Sequence, residues 1–132
     1  MSQSNACFSY LGRKLGLWGS SDADVLACEQ LLCEAMDLRN AVVGFCYGRA
    51  GNPGDAQEAQ AFITGLQQGV LSKLDLWLAR QEKFGPETPF FVSGYATVPD
   101  FHIYELLDQL HLLARCRSLP PPVRLWPGRP CC

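Results

Sequence analysis

Residues 22 to 47 carry their apolar side chains in two helical stripes, and no other feature of the sequence restricts the fold as much. Cys28, Leu31, Ala35, Leu38, Val42 and Phe45 follow one another in steps of three and four, which puts them on one continuous helix face. Cys33, Met36, Asn40, Val43 and Tyr47 repeat the same steps. At about 100° per residue Tyr47 lies opposite Leu38. A helix with apolar stripes on two sides has to be covered on both. It is therefore expected at the centre of the fold, one stripe in its own bundle and the other against a ligand or a second domain.

The start of that helix is written in Ser21-Asp22-Ala23-Asp24, where a hydroxyl can accept from a free backbone N–H and acids favour the positive helix end. Three further helices follow from the pattern. The first runs from about Ser4 to Leu15 with Ala6, Tyr10 and Leu11 at helical spacing and Gly16 as its stop. After the glycine-rich loop Gly48 to Asp55, another is expected from about Ala56 to Phe84, with Ala59, Ile63, Leu66, Val70, Leu74 and Trp77 on one face. Gly65 and Gly69 inside it suggest close approach of a neighbouring helix. Gly85 to Pro89 ends that element, and Phe90 to Gly94 reads as an extended connector. Thr97-Val98-Pro99-Asp100 then opens a helix, as a Thr with an acid three residues on and proline in the first turn, carrying Ile103, Leu106, Leu107, Leu110 and Leu113 on one face. Prolines 120, 121, 122, 127 and 130 end all helical pattern in the tail.

The pattern sums to one all-α domain, and a hydrophobic content of 48% gives it material for a core. A formal charge of −2 leaves no basic excess for a phosphate backbone, so nucleic acid is not an expected partner. Apolar runs such as Ala41-Val42-Val43 fall far short of the ~18 residues that span a bilayer, and the first residues do not read as a secretory leader. A cytoplasmic protein is expected, with no membrane contact. Seven cysteines without Cys-x-x-Cys or zinc-like spacing read as reduced, mostly buried thiols and no metal site. Cys131-Cys132 has no polybasic stretch beside it that would support a lipidated end.

Read from residues alone, no catalytic set stands out. His102 and His111 are nine residues apart on one helix and cannot share a face, so structural or surface roles fit both. Asp37 with Arg39 and Tyr47 on the doubly apolar helix could form a site, though the polar edge of a buried helix explains them nearly as well, with Asp37 a solvated acid and Tyr47 a core aromatic. Ser4 could be a helix cap and nothing more.

Taken together, several segments resemble a known family. These are Gln3-Ser4-Asn5-Ala6, Tyr10-Leu11-Gly12-Arg13-Lys14, Glu29 to Tyr47 with Met36-Asp37-Leu38-Arg39 and Cys46-Tyr47, Phe91-Val92-Ser93-Gly94, and Thr97 to Phe101 through Leu107-Asp108-Gln109. In combination they look like a mu-class cytosolic glutathione transferase, over about Gln3 to His111. Mu is favoured over the sigma and pi classes by Met36 to Arg39 and Cys46-Tyr47. The resemblance implies an all-α, glutathione transferase C-terminal-domain-like helical bundle, truncated at both ends. Residues 1–17 would be a remnant of the thioredoxin-like domain holding the Gln-Ser helix, 18–117 the C-terminal-like helical domain, and 118–132 an irregular proline-rich tail.

The implied activity is addition of the glutathione thiolate to small electrophiles, with glutathione as co-substrate and no other cofactor. The alternative is a non-catalytic helical interaction module, or a truncated subunit lacking the glutathione domain. The family's thiolate-stabilising tyrosine belongs to the thioredoxin-like half, so the isolated chain is expected not to catalyse. By the same resemblance Ser4 would hold the γ-glutamyl carboxylate at a helix N-terminus, with Gln3 beside it. Asp37 would reach across a homodimer or heterodimer to the glutathione amino group, and Tyr47 would line the electrophile pocket. Thr97 and Asp100 match the family's folding capping box.

Overall fold

A computed structural model describes residues 3–48, 55–80 and 90–116, and these form five helices and no strand. They are α1 (Ser4–Lys14), α2 (Asp22–Tyr47), α3 (Ala56–Gln68), α4 (Val70–Ala79) and α5 (Val98–Cys116). The all-α architecture expected from the sequence is the one observed among the described residues.

The long helix α2 starts where its sequence says it should. The Ser21 hydroxyl accepts from the Asp24 N–H at 3.2 Å and the Asp24 carboxylate accepts from the Ser21 N–H at 3.1 Å, a complete reciprocal box. Its first stripe is buried throughout, from Cys28 to Phe45, and packs against α5. Leu31, Ala35 and Leu38 of α2 share a core with Leu71 and Leu74 of α4 and Ile103, Leu106 and Leu110 of α5. Each such leucine removed from water favours folding by about 1.5–3 kcal/mol. Phe45 adds a stacked contact with Phe62 of α3, ring centroids 4.3 Å apart.

The second stripe is not covered by any of the described residues. Cys33 and Asn40 are exposed, Val43 is 46% exposed and Tyr47 is 87% exposed. Among the described residues α2 thus has one face in the core and the other in solvent. The same inversion occurs in α1. Tyr10 and Leu11, expected as its apolar stripe, face solvent, and the inner side is made by Phe8 and Gly12. Gly12 is buried because helix α1 runs so close to Val98 and Trp18 that an added Cβ would lie 2.4 and 2.6 Å from their side chains.

The expected single helix from Ala56 to Phe84 is two helices. Gly69, with φ −111° and ψ −106°, ends α3 and caps α4. A Cβ at Gly69 would meet only carbonyl oxygens of its own α3, those of Gly65 and Leu66, and a Cβ at Gly65 would meet nothing within 4 Å. Neither glycine admits a neighbouring helix; the pair marks a break instead. Residues 81–84 of the expected helix lie outside the described residues, as do Pro120 to Cys132.

The connector before α5 is pinned at both ends. Phe91 and Val92 are buried in the core, and the Phe91 N–H donates to the Asp100 carboxylate at 2.8 Å. Leu17 accepts from the Val98 N–H at 2.9 Å, which ties the α1–α2 turn to the start of α5. Trp18, beside that turn, is buried and carries the Arg13 guanidinium 5.3 Å from its ring centroid.

Candidate functional site

Gln3 is the N-cap of α1 and Ser4 its first residue, so the cap that Ser4 alone suggested belongs to the residue before it. Gln3 has φ 76° and ψ 112°, which makes it the one non-glycine with positive φ among the described residues. A side chain held in that region costs on the order of 1–3 kcal/mol, and such strain concentrates where a ligand is held. The Gln3 side chain makes no cap bond and the first turn of α1 contains no acid. The positive end of α1, with its first N–H groups, is thus uncompensated from within the helix. An anion, a carboxylate above all, suits that end.

Asp37 is exposed on α2, on the wall of an open groove of about 360 Å³ that it shares with Glu29, Gln30, Cys33, Glu34 and Trp77. Two of those acids are already paired. Glu34 accepts from Lys73 at 3.2 Å and Glu29 from Arg13 at 3.3 Å, both on the surface, where such pairs contribute less than about 1 kcal/mol. Arg80 stands over the Trp77 ring at 5.6 Å from its centroid. Gln3, Ser4 and Tyr47 do not line this groove.

Tyr47 closes α2 ten residues beyond Asp37, about 15 Å along the axis at the usual helical rise. Its side chain stands in solvent, so the core-aromatic reading of Tyr47 does not hold. The structure therefore joins Gln3 to Ser4 and Thr97 to Asp100, and leaves Asp37 and Tyr47 apart on the open side of α2.

At the start of α5 the pairing differs in one respect from a capping box. The Asp100 carboxylate accepts from the Thr97 N–H at 2.6 Å, as the motif requires, but the Thr97 hydroxyl donates to the same carboxylate oxygen at 2.6 Å instead of accepting a backbone N–H. Burial pushes the Asp100 carboxyl above the usual carboxylate range, against the bonds from Thr97 and Phe91 that favour its charge. Cys28 lies under this corner, its thiol 3.5 Å from the Trp18 carbonyl oxygen and pushed up to about 11 by burial. It stays a protonated core thiol. Among the described cysteines Cys28 alone is fully buried; Cys7 and Cys46 are half-buried and Cys33 is exposed, so the expectation of mostly buried thiols fails there.

Two features of the site were not visible in the sequence. Glutamine has no preference for positive φ, so nothing marks Gln3 as strained. The groove joins residues of α2 to Trp77, which the sequence had placed with the core face of its helix and which is only half-buried.

The chain is 31% identical over 109 residues to glutathione S-transferase Mu 1 of Oryctolagus cuniculus, covering 83% of this chain and 44% of the relative. It is 30% identical over 109 residues to glutathione S-transferase Mu 2 of Rattus norvegicus, with the same shares of the two chains. The chain is thus similar to mu-class glutathione S-transferases over most of its own length. With glutathione S-transferase Mu 2 of Mus musculus the match extends over 130 residues at 28% identity, 98% of this chain and 54% of the relative. The chain spans about half the length of these mu-class transferases. No protein-family model matches it, and no solved structure does so with significance. No helix among the described residues is long and apolar enough to cross a membrane.

Proposed function

We propose that this chain serves in glutathione conjugation as the helical part of a transferase, contributing the carboxylate-binding end of α1 and the electrophile-side face of α2. The observation that carries this reading is the α1 N-terminus: Gln3 strained at φ 76°, Ser4 opening the helix, and no acid or side-chain cap competing for the free N–H groups. The γ-glutamyl carboxylate of glutathione would accept from the Ser4 N–H and hydroxyl, a charge-assisted contact at a helix N-terminus, with the Gln3 amide beside it. Asp37, exposed and free of any ion pair within the described residues, is available to meet the glutathione amino group from a neighbouring subunit. Tyr47, with its side chain in solvent, can donate its hydroxyl to an electrophile's developing oxyanion.

In this reading the family's thiolate-stabilising tyrosine has no counterpart among these helices. A free thiol titrates near about 8.5, so little glutathione thiolate is present at neutral pH without a donor to stabilise it. The 132-residue chain alone should therefore not accelerate conjugation of a model aryl halide above the rate in buffer. Turnover by the chain alone above the buffer rate would contradict this assignment, because another group, with Tyr47 tested by Tyr47→Phe, would then have to stabilise the thiolate. A second reading, a non-catalytic module that pairs with transferase subunits, draws on the solvent-facing apolar residues Val43 and Tyr47 of α2 and Tyr10, Leu11 and Leu15 at α1. Co-elution with a full-length mu-class subunit while glutathione has no effect on the chain would favour that reading.

A further inference from the structure

Two contacts one helical turn apart seat α1 on α5. At Gly12 the backbone approaches Val98 closely enough to exclude any Cβ, and one turn toward the N-terminus Phe8 lies against the imidazole of His102, ring centroids 4.7 Å apart and planes inclined at 33°. His102 is 1% exposed, and neither of its ring nitrogens has a hydrogen-bond partner. Asn5, three residues before Phe8 on α1, also buries a side-chain oxygen without a partner. A structural or surface role was expected for His102; the structure makes it a buried polar ring between α1 and α5.

We propose that His102 makes the docking of α1 on α5 acid-sensitive, with α1 seated against the neutral imidazole and released when the ring takes up a proton. A neutral imidazole in this seam behaves as one more flat ring against Phe8. An imidazolium there would bury a charge and two N–H donors, neither of which has an acceptor in the seam as it is packed. The charged groups that act on the ring are Glu105 on α5 itself, which favours the proton, and Arg39 of α2, which opposes it. Among the described residues no charged group of α1, α3 or α4 acts on it.

Burial outweighs Glu105 and holds the ring's pKa below its ordinary value of 6.5. The sign follows directly. The released ring takes up its proton near about 6.5, so the seat is at full strength above that pH and weakens as pH falls through it toward the depressed, docked value. This inference concerns the packing of α1 and stands whether or not the helix binds glutathione.

The test is amide hydrogen exchange on the full chain at about pH 7.5 and about pH 5.5, corrected for intrinsic rates, on either side of the ordinary histidine range. Protection in α1 should fall severalfold, and at most about tenfold for one histidine, relative to protection in α2, a local opening rather than global unfolding. In His102→Gln, which cannot charge, the ratio of α1 to α2 protection should not change with pH. Parallel loss in both helices of the wild type, or the same selective loss in His102→Gln, would overturn the proposal. In a His111→Gln background His102 is the sole histidine, and its ring resonances read the charge directly. Titration below about 6.5 accompanied by loss of α1 protection is expected, and titration at or above that value would overturn the proposal even if His102→Gln failed to fold.

Discussion

Single residues govern this bundle most visibly where side chains replace backbone partners. Asp100 is the clearest case, because its carboxylate accepts from the Phe91 N–H, the Thr97 N–H and the Thr97 hydroxyl together. Thr97→Ala removes one of those bonds and should cost about 1 kcal/mol. Asp100→Ala leaves buried donors without an acceptor and frees the connector at Phe91, and should cost about 3 kcal/mol or more. The double variant should cost less than the sum of the singles, since both residues act on the same helix end. Denaturant melts of the four proteins measure this, and strictly additive losses would show that the two residues act independently. The spacing of Thr97 and Asp100 was enough to locate the helix start. It could not tell a hydroxyl that accepts from one that donates, because both arrangements need a Thr and an acid three residues apart. Ser21 and Asp24 have the same spacing on an exposed turn, and there the full reciprocal box forms.

Helices were legible to the extent that their apolar period was unambiguous. The Cys28 to Phe45 stripe of α2 is the core stripe observed, because its steps of three and four continue over five turns and bury against α5. Periodicity failed in α1, which is short enough for Tyr10 and Leu11 to compete with Phe8 as the apolar face, and where the decisive inward residue is a glycine with no hydrophobicity to count. It failed again at Gly69, because an apolar repeat passes through a break when the two helices keep the same core on one side. The glycines provide a direct check. Gly12→Ala should destabilise by about 1–3 kcal/mol, as its methyl would press into Val98 and the Trp18 ring. Gly65→Ala meets open space inside α3 and should stabilise by about 0.5–1 kcal/mol. Thermal melts shifting in opposite directions are the expected outcome; a stabilised Gly12→Ala would show that α1 does not run against Val98.

The chain taken whole is similar to mu-class glutathione S-transferases, and its residues of proposed function lie at the strained N-terminus of α1 and on the exposed face of α2. Family likeness was readable because Gln3-Ser4, Met36-Asp37-Leu38-Arg39 and Cys46-Tyr47 occur together in order. Which of them meet in space was not readable, since helical spacing places residues on a face but not the faces relative to one another. The separation of Ser4 from Asp37 and Tyr47 implies that any contact this chain makes alone with glutathione rests on α1 and is weak, with a Kd of about 1 mM or higher. The most direct measurement is titration of the isotopically labelled chain with glutathione, following backbone amide resonances. Saturable shifts confined to Ser4, Asn5 and Ala6, reduced in Ser4→Ala and absent when sodium chloride replaces glutathione at equal ionic strength, are the expected result. Micromolar affinity, shifts that centre on the Asp37 groove, or no shift at any α1 amide would contradict the assignment of the α1 N-terminus as the glutathione carboxylate site.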